Sequence, residues 1–549
     1  MKIRSKILPL ALLALCQSGY AQQPPPGAGS QLNQLPPRVD LPRDPPQVLI
    51  EESTAAVDPG AEGASVLVNE IRFTGARAFP EADLLAATGF VPGTQATLGE
   101  LQAMAARITA YYRERGHFVA QAYLPAQDIS THVVTIAISE GRYGDVVLRN
   151  NSELSDGLVR EVLGGPQAGE PILIEPLESR LLRLSDLPGV NIRSTLAPGS
   201  APGSSDLILD VEPGRRISGF VDADNAGNPY TGANRIGAQF NLNNPLGRGD
   251  VAGLRLLTSG EGLQYGRASY QTMLGRATAG VAYSWLEYEL GKQFKPLGAN
   301  GTAKVASVFG SLPLIRSRDT NLYTGLTFEH RAFEDRLDLF PAADRVASAD
   351  AFILSLYGDH SDNFGGGGTN RFYLALTGGR LDIESPLPRA IDAATARTQG
   401  DYTKLWFHDG RVQRITSHLS LGASLTGQWA SKNLDPSEKL VLGGMDGIRG
   451  YPQGEATGDE GVIANVEARL LMARTSDRIP GQLHLLGFVD AGRITINKDP
   501  WFAGDNERNL SSAGVGLSWS EPGNWSLRTY YAWSLGSEDA ISAPDKSGR

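Results

Sequence analysis

Two segments decide the fold of this chain: Gly443-Gly444-Met445-Asp446-Gly447-Ile448-Arg449-Gly450-Tyr451 and Phe488-Val489-Asp490-Ala491-Gly492. The first is a glycine-rich loop with one arginine, and the second is a strand with one aspartate. Arginine is always charged, and its planar fork fits a carboxylate. Either segment alone could be a surface loop or an ordinary strand. Together they predict a long loop that is pinned by an ion pair between Arg449 and Asp490.

The strand around Asp490 has two chemically different faces, because successive side chains of a strand point to opposite sides of the sheet. In a barrel that crosses a membrane, the face with Asp490 would line the lumen. There we expect Tyr451 to pack beside the ion pair, and partial hydration to limit the pair to ~1 kcal/mol. The apolar face holds Leu483, Leu485 and Val489, and the other face holds His484, Phe488 and Asp490.

The composition narrows the class of protein. The chain has 549 residues, including 64 glycines, and its net charge is −10. The length allows two or three domains, and the many glycines suit an all-β region with many turns. The negative charge gives no basic surface for nucleic acid. The only cysteine is Cys16, so we expect no disulfide, no thiol nucleophile and no cysteine metal site in the mature protein.

The start of the chain predicts export. Lys2, Arg4 and Lys6 precede an apolar run, and Gly19-Tyr20-Ala21 offers small residues at the cleavage positions. Cleavage is expected after Ala21, so residues 1–21 are predicted to be a signal peptide. A lipoprotein at Cys16 is disfavoured because Leu15 is too large for the position before it. No later segment has the ~20 apolar residues of a spanning helix. A closed barrel can still cross a membrane, because all its backbone groups are paired.

Residues 22–65 are predicted to be a proline-rich linker. The pairs and triplets of proline at 24–26, 36–37 and 45–46 forbid regular structure. Only Gly29 to Leu35 could form a helix there, and it would be barely two turns long. Whether the linker carries a helix at all stays open.

Two α+β units follow, at residues 66–142 and 143–214, each with the order strand, helix, helix, strand, strand. The clearest helix is Thr97 to Arg115, with an apolar stripe, a capping box of Thr97 and Glu100, and Gly116 at its end. The other predicted elements are strands Val66–Phe73, Phe118–Leu124, Val133–Ser139, Val190–Leu196 and Leu207–Val211, a strand beginning at Val146–Leu148, and helices near Leu154–Leu163 and Glu175–Asp186.

Residues 215–549 are predicted to form an all-β barrel. From Ile217 onward, strands that alternate with a period of two recur, among them 233–243, 417–428, 461–470 and 525–533. Each is long enough for the ~9–11 residues of a tilted membrane strand. A soluble sandwich also alternates, but it would seldom place charged residues on the inward face of so many long strands. Within the barrel, Glu467 and Arg469 are interpreted as ordinary polar lining.

The connections alternate between short and long, as in outer-membrane barrels with short periplasmic turns and longer outer loops. This pattern places the loop of Arg449 on the outer side, between the eleventh and twelfth strands. The short connections lie near Asn244–Arg248, Gly275–Arg276, Pro313–Ser317 and Val412–Thr416, and the long ones near Ala332–Ala349, Asp382–Gly400 and Trp429–Gly461.

These residues resemble the polypeptide-transporting outer-membrane barrels, most closely the two-partner secretion transporters of the haemolysin secretion/activation type (TpsB family). The pore-loop motif is matched by Ile448, Arg449, Gly450 and Tyr451, and the barrel-wall motif by Phe488, Asp490 and Gly492. Asn243 to Asp250 and Leu312 to Arg318 resemble turns of the family. The two α+β units resemble two POTRA domains, which narrows the likeness to TpsB.

The resemblance implies a translocator in the outer membrane of a Gram-negative bacterium, with its POTRA domains in the periplasm. It implies a single large exoprotein client, haemolysin- or adhesin-like, captured unfolded by those domains. A monomer in contact with outer-membrane lipid is expected. A plug helix near the N-terminus and a barrel of sixteen strands are also implied. We count about fifteen strands, ending at Trp533, and interpret Leu535 to Arg549 as the last outer loop. The final strand is therefore expected to be missing, as in a truncated reading of a longer gene.

A search for catalytic motifs gives no candidate. The sequence has no phosphate-binding loop, no His-Glu-x-x-His and no Gly-x-Ser-x-Gly. The seven histidines are scattered, and Gly365 to Gly368 suits a flexible turn. We therefore expect no enzyme, cofactor, metal or nucleotide. Two alternatives remain: a barrel-assembly insertase, which commonly carries more POTRA units, and a passive porin or receptor, which needs no such units.

Overall fold

The computed structural model describes residues 25–35, 47–50, 65–474 and 480–542. The predicted signal peptide and most of the predicted linker lie outside the described residues. Two short elements of the linker are described. Helix α1 spans Ala28–Asn33, and strand β1 spans Gln47–Ile50. The helix begins one residue before the predicted segment and ends two residues earlier.

The first α+β unit has a three-stranded sheet, in the order β3-β6-β5, and a separate β2-β4 pair. The predicted single strand Val66–Phe73 is wrong, because Asn69 interrupts it: β2 pairs with β4, whereas β3 pairs with β6. The elements are β2 Ser65–Val68, β3 Glu70–Thr74, α2 Glu81–Thr88, β4 Thr94–Thr97, α3 Leu98–Glu114, β5 Gln121–Tyr123 and β6 Val133–Ser139.

Helix α3 confirms the clearest prediction from the sequence. The Thr97 side chain accepts from the Glu100 N–H, and the Glu100 carboxylate accepts from the Thr97 N–H at 2.7 Å, which completes the capping box. Gly116 follows in the left-handed region with φ 89°. The apolar stripe packs into the core of the unit, where Leu101, Ile108 and Tyr112 are buried.

The second α+β unit has its own core and a four-stranded sheet in the order β1-β8-β9-β7. The predicted helices and closing strands are confirmed, with shifts of a few residues. The linker strand β1 was not predicted, and it joins this sheet from outside the unit. The elements are β7 Arg142–Asn150, α4 Asp156–Leu163, α5 Ile174–Ser185, β8 Val190–Pro198 and β9 Ser204–Pro213.

A buried carboxylate lies at the junction of the two units. Glu140 accepts from the N–H groups of Arg77 at 2.5 Å and Ala78 at 2.6 Å, from the Tyr112 hydroxyl at 3.1 Å, and from Arg142 at 2.9 Å. Burial alone would raise the pKa of Glu140, but these bonds hold the pKa below the ordinary value of a glutamate. Because Arg142 begins β7, Glu140 ties the first unit to the second.

The third region is one antiparallel sheet of fifteen strands, in which β20 neighbours β23 and every other strand pairs with the next one along the chain. A two-stranded hairpin, β21 Leu440–Val441 with β22 Thr457–Gly458, and helix α6 Pro386–Ala394 lie in its connections. The fifteen strands are β10 Ile217–Asp224, β11 Arg235–Asn243, β12 Val251–Thr258, β13 Leu263–Leu274, β14 Ala277–Glu289, β15 Ala299–Arg316, β16 Thr320–Leu337, β17 Arg345–Asp362, β18 Gly368–Ile383, β19 Gly400–Arg414, β20 Leu419–Ala430, β23 Glu460–Arg474, β24 Gln482–Thr495, β25 Glu507–Glu521 and β26 Trp525–Ser534.

The apolar side chains of this sheet point outward. Val489 is 52% exposed, whereas its neighbour Asp490 on the opposite face is fully buried. The same contrast runs along β11, where Ile236 and Phe240 are exposed and Arg235 is buried. A sheet with an exposed apolar face and polar residues inside suits lipid outside and a polar lumen.

The alternation of short and long connections is confirmed, but three predicted connections were too wide. The turn predicted near Val412–Thr416 is one of them, because β19 continues to Arg414. Strand β15 runs on through Pro313 to Arg316, with a register shift after Pro313. Proline is tolerated at such an irregularity. Strands β16 and β17 likewise extend into the predicted loop 332–349, because charged residues there still pair along the ladder.

The second α+β unit contacts the short-turn end of the sheet. Arg316 binds Asp186 in a bidentate pair at 2.7 and 2.9 Å, and the Ser155 N–H donates to the Gly247 carbonyl at 3.0 Å. The long loops therefore lie at the end away from this unit. This agrees with periplasmic short turns.

The fifteenth strand, β26, is an edge of the sheet, and no backbone pairing joins β10 to β26 within residues 217–474 and 480–534. The count of fifteen strands agrees with the sequence analysis. Among the helices of the described part, none is long and apolar enough to span a membrane.

Candidate functional site

The connection between β20 and β23, residues 431–459, folds into the lumen, and we call it the lumen loop. It leaves the eleventh strand and enters the twelfth, as predicted. Leu442 and Ile448 are buried against the strand residues Ile463, Ile494 and Leu510. Its tip is a tight turn in which the Gly447 N–H donates to the Gly444 carbonyl at 3.1 Å, and the Ile448 N–H donates to the Leu442 carbonyl at 2.8 Å.

The tip presents Arg449 to the barrel wall. Its Nε donates to Asp490 Oδ2 at 3.0 Å, and its Nη2 donates to Asp490 Oδ1 at 2.8 Å. The backbone N–H of Arg449 also donates to Asp490 Oδ2 at 3.1 Å. The contact is therefore the bidentate fork that the sequence predicts, with a main-chain bond added.

Asp490 is held by its neighbours in the sheet. Asn465 of β23 and Ser512 of β25 are its register partners. Asn465 Nδ2 donates to Oδ1 at 2.9 Å and also to the carbonyl of Gly447 at 2.8 Å, and Ser512 Oγ donates to Oδ2 at 3.2 Å. Side chains from the two neighbouring strands thus fix the position of the Asp490 carboxylate.

The site contains a second acid that the sequence analysis interpreted as ordinary lining. Glu467 accepts from Arg449 Nη1 at 2.5 Å, and it also binds Arg469 and Arg528. The signal was present in the alternation of β23, because Asn465, Glu467 and Arg469 share the lumen face. What the sequence lacked was the register that places Glu467 opposite Phe488.

The pair is buried, which corrects the expectation of partial hydration. The Arg449 side chain is 8% exposed and that of Asp490 is 0% exposed. The Phe488 ring lies below the guanidinium, with 3.5 Å from its centroid to Cζ, and Tyr530 packs edge-on to Phe488. A cation over an aromatic face is attracted by the ring quadrupole, more strongly when water is excluded.

Two glycines allow the loop and the wall to approach closely. A Cβ on Gly492 would lie 2.4 Å from Leu442 Cδ1 and 3.0 Å from the Val462 carbonyl. A Cβ on Gly450 would lie 2.6 Å from that of Ser512. Any larger residue at either position would separate the loop from the wall.

Tyr451 does not pack beside the ion pair, contrary to the expectation. Its hydroxyl donates to the Glu538 carbonyl at 2.9 Å, in the segment that follows β26. The buried Glu455 accepts from the N–H groups of Ile541 at 3.2 Å and Ser542 at 2.8 Å. The segment 535–542 therefore rests on the lumen loop, which a reading of local motifs could not show.

The base of the lumen loop is fixed by buried charges. Glu438 is 3% exposed at its side chain and binds Arg331, Lys404 at 2.8 Å and the Tyr402 hydroxyl at 2.7 Å. Lys439 binds the buried Asp459 at 2.7 Å. The contacts of Glu438 join the loop to strands β16 and β19, far in sequence from Asp490, whereas the pair of Lys439 and Asp459 closes the loop on itself.

Helix α1 lies inside the same lumen. The Ala28 N–H donates to Asp335 Oδ1 at 2.6 Å, and Asn33 Nδ2 donates to the Lys439 carbonyl at 2.6 Å. Asn228 donates to Gln34 at 2.7 Å. The short helix thus contacts both the wall and the lumen loop.

A family model described as haemolysin secretion/activation protein ShlB/FhaC/HecB matches residues 203–519, and a ShlB-type POTRA domain model matches residues 66–141. The chain belongs to this family. Its members are protein transporters of the outer membrane with periplasmic POTRA domains, and they act with a large secreted exoprotein. The first α+β unit is therefore a POTRA domain, and the short turns face the periplasm.

Two outer-membrane transporters are related to this chain in sequence, and one solved structure shares its fold. The chain is 30% identical over 463 residues to the heme/hemopexin transporter protein HuxB of Haemophilus influenzae strain Rd, covering 83% of this chain and 80% of that protein. It is 23% identical to the outer membrane transporter CdiB of Dickeya dadantii, covering 82% and 80%. The structure of CdiB from Escherichia coli shares the fold with a TM-score of 0.67, 21% identity and 92% coverage of both chains.

Replacing Gly492 by valine is expected to lower export of the partner protein several-fold. The added methyl groups would collide with Leu442 and the Val462 carbonyl, and overpacking of this kind costs about 1–3 kcal/mol. Export would be measured at equal surface levels of the barrel. Gly487→Val is the matched control, because nothing lies within 4 Å of a Cβ at that position of the same strand. Equal losses in both variants would contradict the role of the close approach.

Proposed function

We propose that this chain exports one large haemolysin- or adhesin-like protein, which its POTRA domains bind while the client is still unfolded in the periplasm. The lumen supports this proposal. The lumen loop and helix α1 occupy it and are bound to its wall by buried ion pairs and hydrogen bonds. A passive porin has an open, water-filled lumen. A lumen that is occupied by a loop and a helix bound to the wall is more typical of a transporter that opens only when its client passes.

The motif residues Ile448, Arg449, Gly450, Tyr451, Phe488, Asp490 and Gly492 are proposed to set the position of the lumen loop. Asp490 and Glu467 hold Arg449, and Gly492 lets the loop pack against β24. A single fixed position gives the lumen one defined resting shape. A client can pass through the lumen only if the lumen loop leaves this position. The stability of the contact between Arg449 and Asp490 therefore affects export.

The chain is proposed to act as a monomer in outer-membrane lipid. The exposed apolar residues alternate along the barrel strands, as a lipid-facing surface requires. Export needs no nucleotide in this proposal. Folding of the client outside the cell supplies the direction, because a folded chain cannot return through the lumen.

Inactivation of the gene tests the proposed function. A strain without this chain should lose one large protein from its medium or surface, and the full-length chain should restore it. A barrel-assembly insertase would instead lower the levels of many outer-membrane proteins. A porin would change only the uptake of small solutes. Either of these results, with unchanged secretion, would contradict the proposal.

A further inference from the structure

Strand β1 covers one edge of the sheet in the second α+β unit, and β7 is the opposite edge. It pairs in parallel with β8, in the register Gln47 with Arg193 to Ile50 with Leu196. In the sheet order β1-β8-β9-β7, β8 would be the edge strand without it. An edge strand presents a row of unpaired N–H and C=O groups that pairs readily with another extended chain.

Strand β1 is shorter than β8, the strand that it covers. Strand β8 has 9 residues, and β1 has 4. The part of β8 before Arg193 has no register partner in β1. Because each main-chain hydrogen bond adds only a small net stabilisation in water, a four-residue strand is a weak occupant. A longer extended segment that paired along β8 would form more bonds on the same edge.

We propose that β1 is an internal competitor of the client, and that an extended segment of the unfolded client replaces it on β8 in the same parallel orientation. The inference rests on the proposed function. Main-chain pairing at a sheet edge needs little sequence specificity, which suits an unfolded chain. The occupied edge would bind a long unfolded chain but refuse short peptides that cannot displace β1.

A reversible crosslink tests this competition. Leu49 and Thr195 are register partners, and Cys16 in the predicted signal peptide is the only natural cysteine. Neighbouring strands bring such positions within disulfide range. The full chain with Leu49→Cys and Thr195→Cys would be oxidised in cells, and the crosslinked fraction read on a non-reducing gel. Export should fall in proportion to that fraction and return after reduction.

The matched control uses Thr195→Cys with Ile208→Cys, which are register partners in β8 and β9. That crosslink joins β8 to β9, which stay paired whether β1 or the client occupies the edge. Export should therefore not change. Equal export by crosslinked and reduced Leu49→Cys/Thr195→Cys chain would overturn the inference, and so would a failure of this pair to crosslink under oxidant. A lack of any exported partner in the unmodified strain would instead contradict the proposed function.

A second measurement does not depend on a crosslink. Adjacent residues of a strand direct their N–H groups to opposite sides, so one of Val48→Pro and Leu49→Pro removes a bond to β8. The purified full chain would be titrated with the urea-unfolded partner protein after dilution. One of the two variants should bind that protein more tightly than the unmodified chain. Unchanged or weaker binding by both would overturn the competition.

Discussion

Replacing Arg449 by alanine is expected to lower export of the partner protein by about tenfold or more, while the barrel remains folded in the outer membrane. The substitution leaves Asp490 and Glu467 without their common partner, and Asp490 is fully buried. Breaking a buried pair in this way costs about 3–5 kcal/mol, mainly through the charge that is left unpaired. The loss destabilises the docked position of the lumen loop and not the strands of the barrel.

Further variants test whether the shape of the arginine side chain matters and whether Arg449 and Asp490 act through the same contact. Arg449→Lys should not restore export, because lysine lacks the fork that contacts Asp490 at two atoms and Glu467 at a third. Asp490→Ala should lose nearly as much export as Arg449→Ala, which also removes the contact with Glu467. The double variant should be no worse than Arg449→Ala, because both changes remove the same contact between Arg449 and Asp490. Additive losses at equal surface levels would show that the two residues act separately.

Arg469→Ala is the matched control for this series. Arg469 also binds Glu467, at 2.8 Å, but its side chain is 42% exposed and it belongs to the wall. We expect its loss to change export little. A loss as large as that of Arg449→Ala would mean that the charge on Glu467, and not the position of the loop, governs export.

Deletion of residues 66–140 is expected to abolish export without preventing assembly of the barrel. The first POTRA domain has its own buried core, and the deletion leaves β7, which begins at Arg142, intact. Strand β3 is an edge of the first sheet, and within the described chain no strand covers its outer side. Unlike β8 of the second sheet, which β1 covers, β3 is therefore open to pair with a client.

The barrel provides its own control in this experiment. All seven tryptophans lie at or after Trp285, so their fluorescence reports the barrel and not the deleted domain. Migration on unheated gels and tryptophan fluorescence should both match the full chain. Undiminished export by the shortened chain would contradict a role of the first POTRA domain in capture.

Local patterns in the sequence were sufficient for much of the fold. Alternation with a period of two predicted the barrel strands, and helical spacing with the Thr97 capping box predicted α3. These features depend on residues close together in the chain, which the sequence displays directly. Errors occurred where a local signal was ambiguous, as at Asn69, which divides one predicted strand into two, and Pro313, which β15 accommodates at a register shift.

Sequence patterns were sufficient to predict most of the barrel strands, the two α+β units, and the pairing of Arg449 with Asp490. The three-dimensional contacts were needed to show the burial of that pair, the part played by Glu467, the contact of Tyr451 with the segment after β26, and the position of β1 on β8. Each of these depends on register and on contacts between residues far apart in the chain. Local periodicity does not indicate which distant residues become neighbours, because those contacts form only when the whole sheet and the lumen loop pack together.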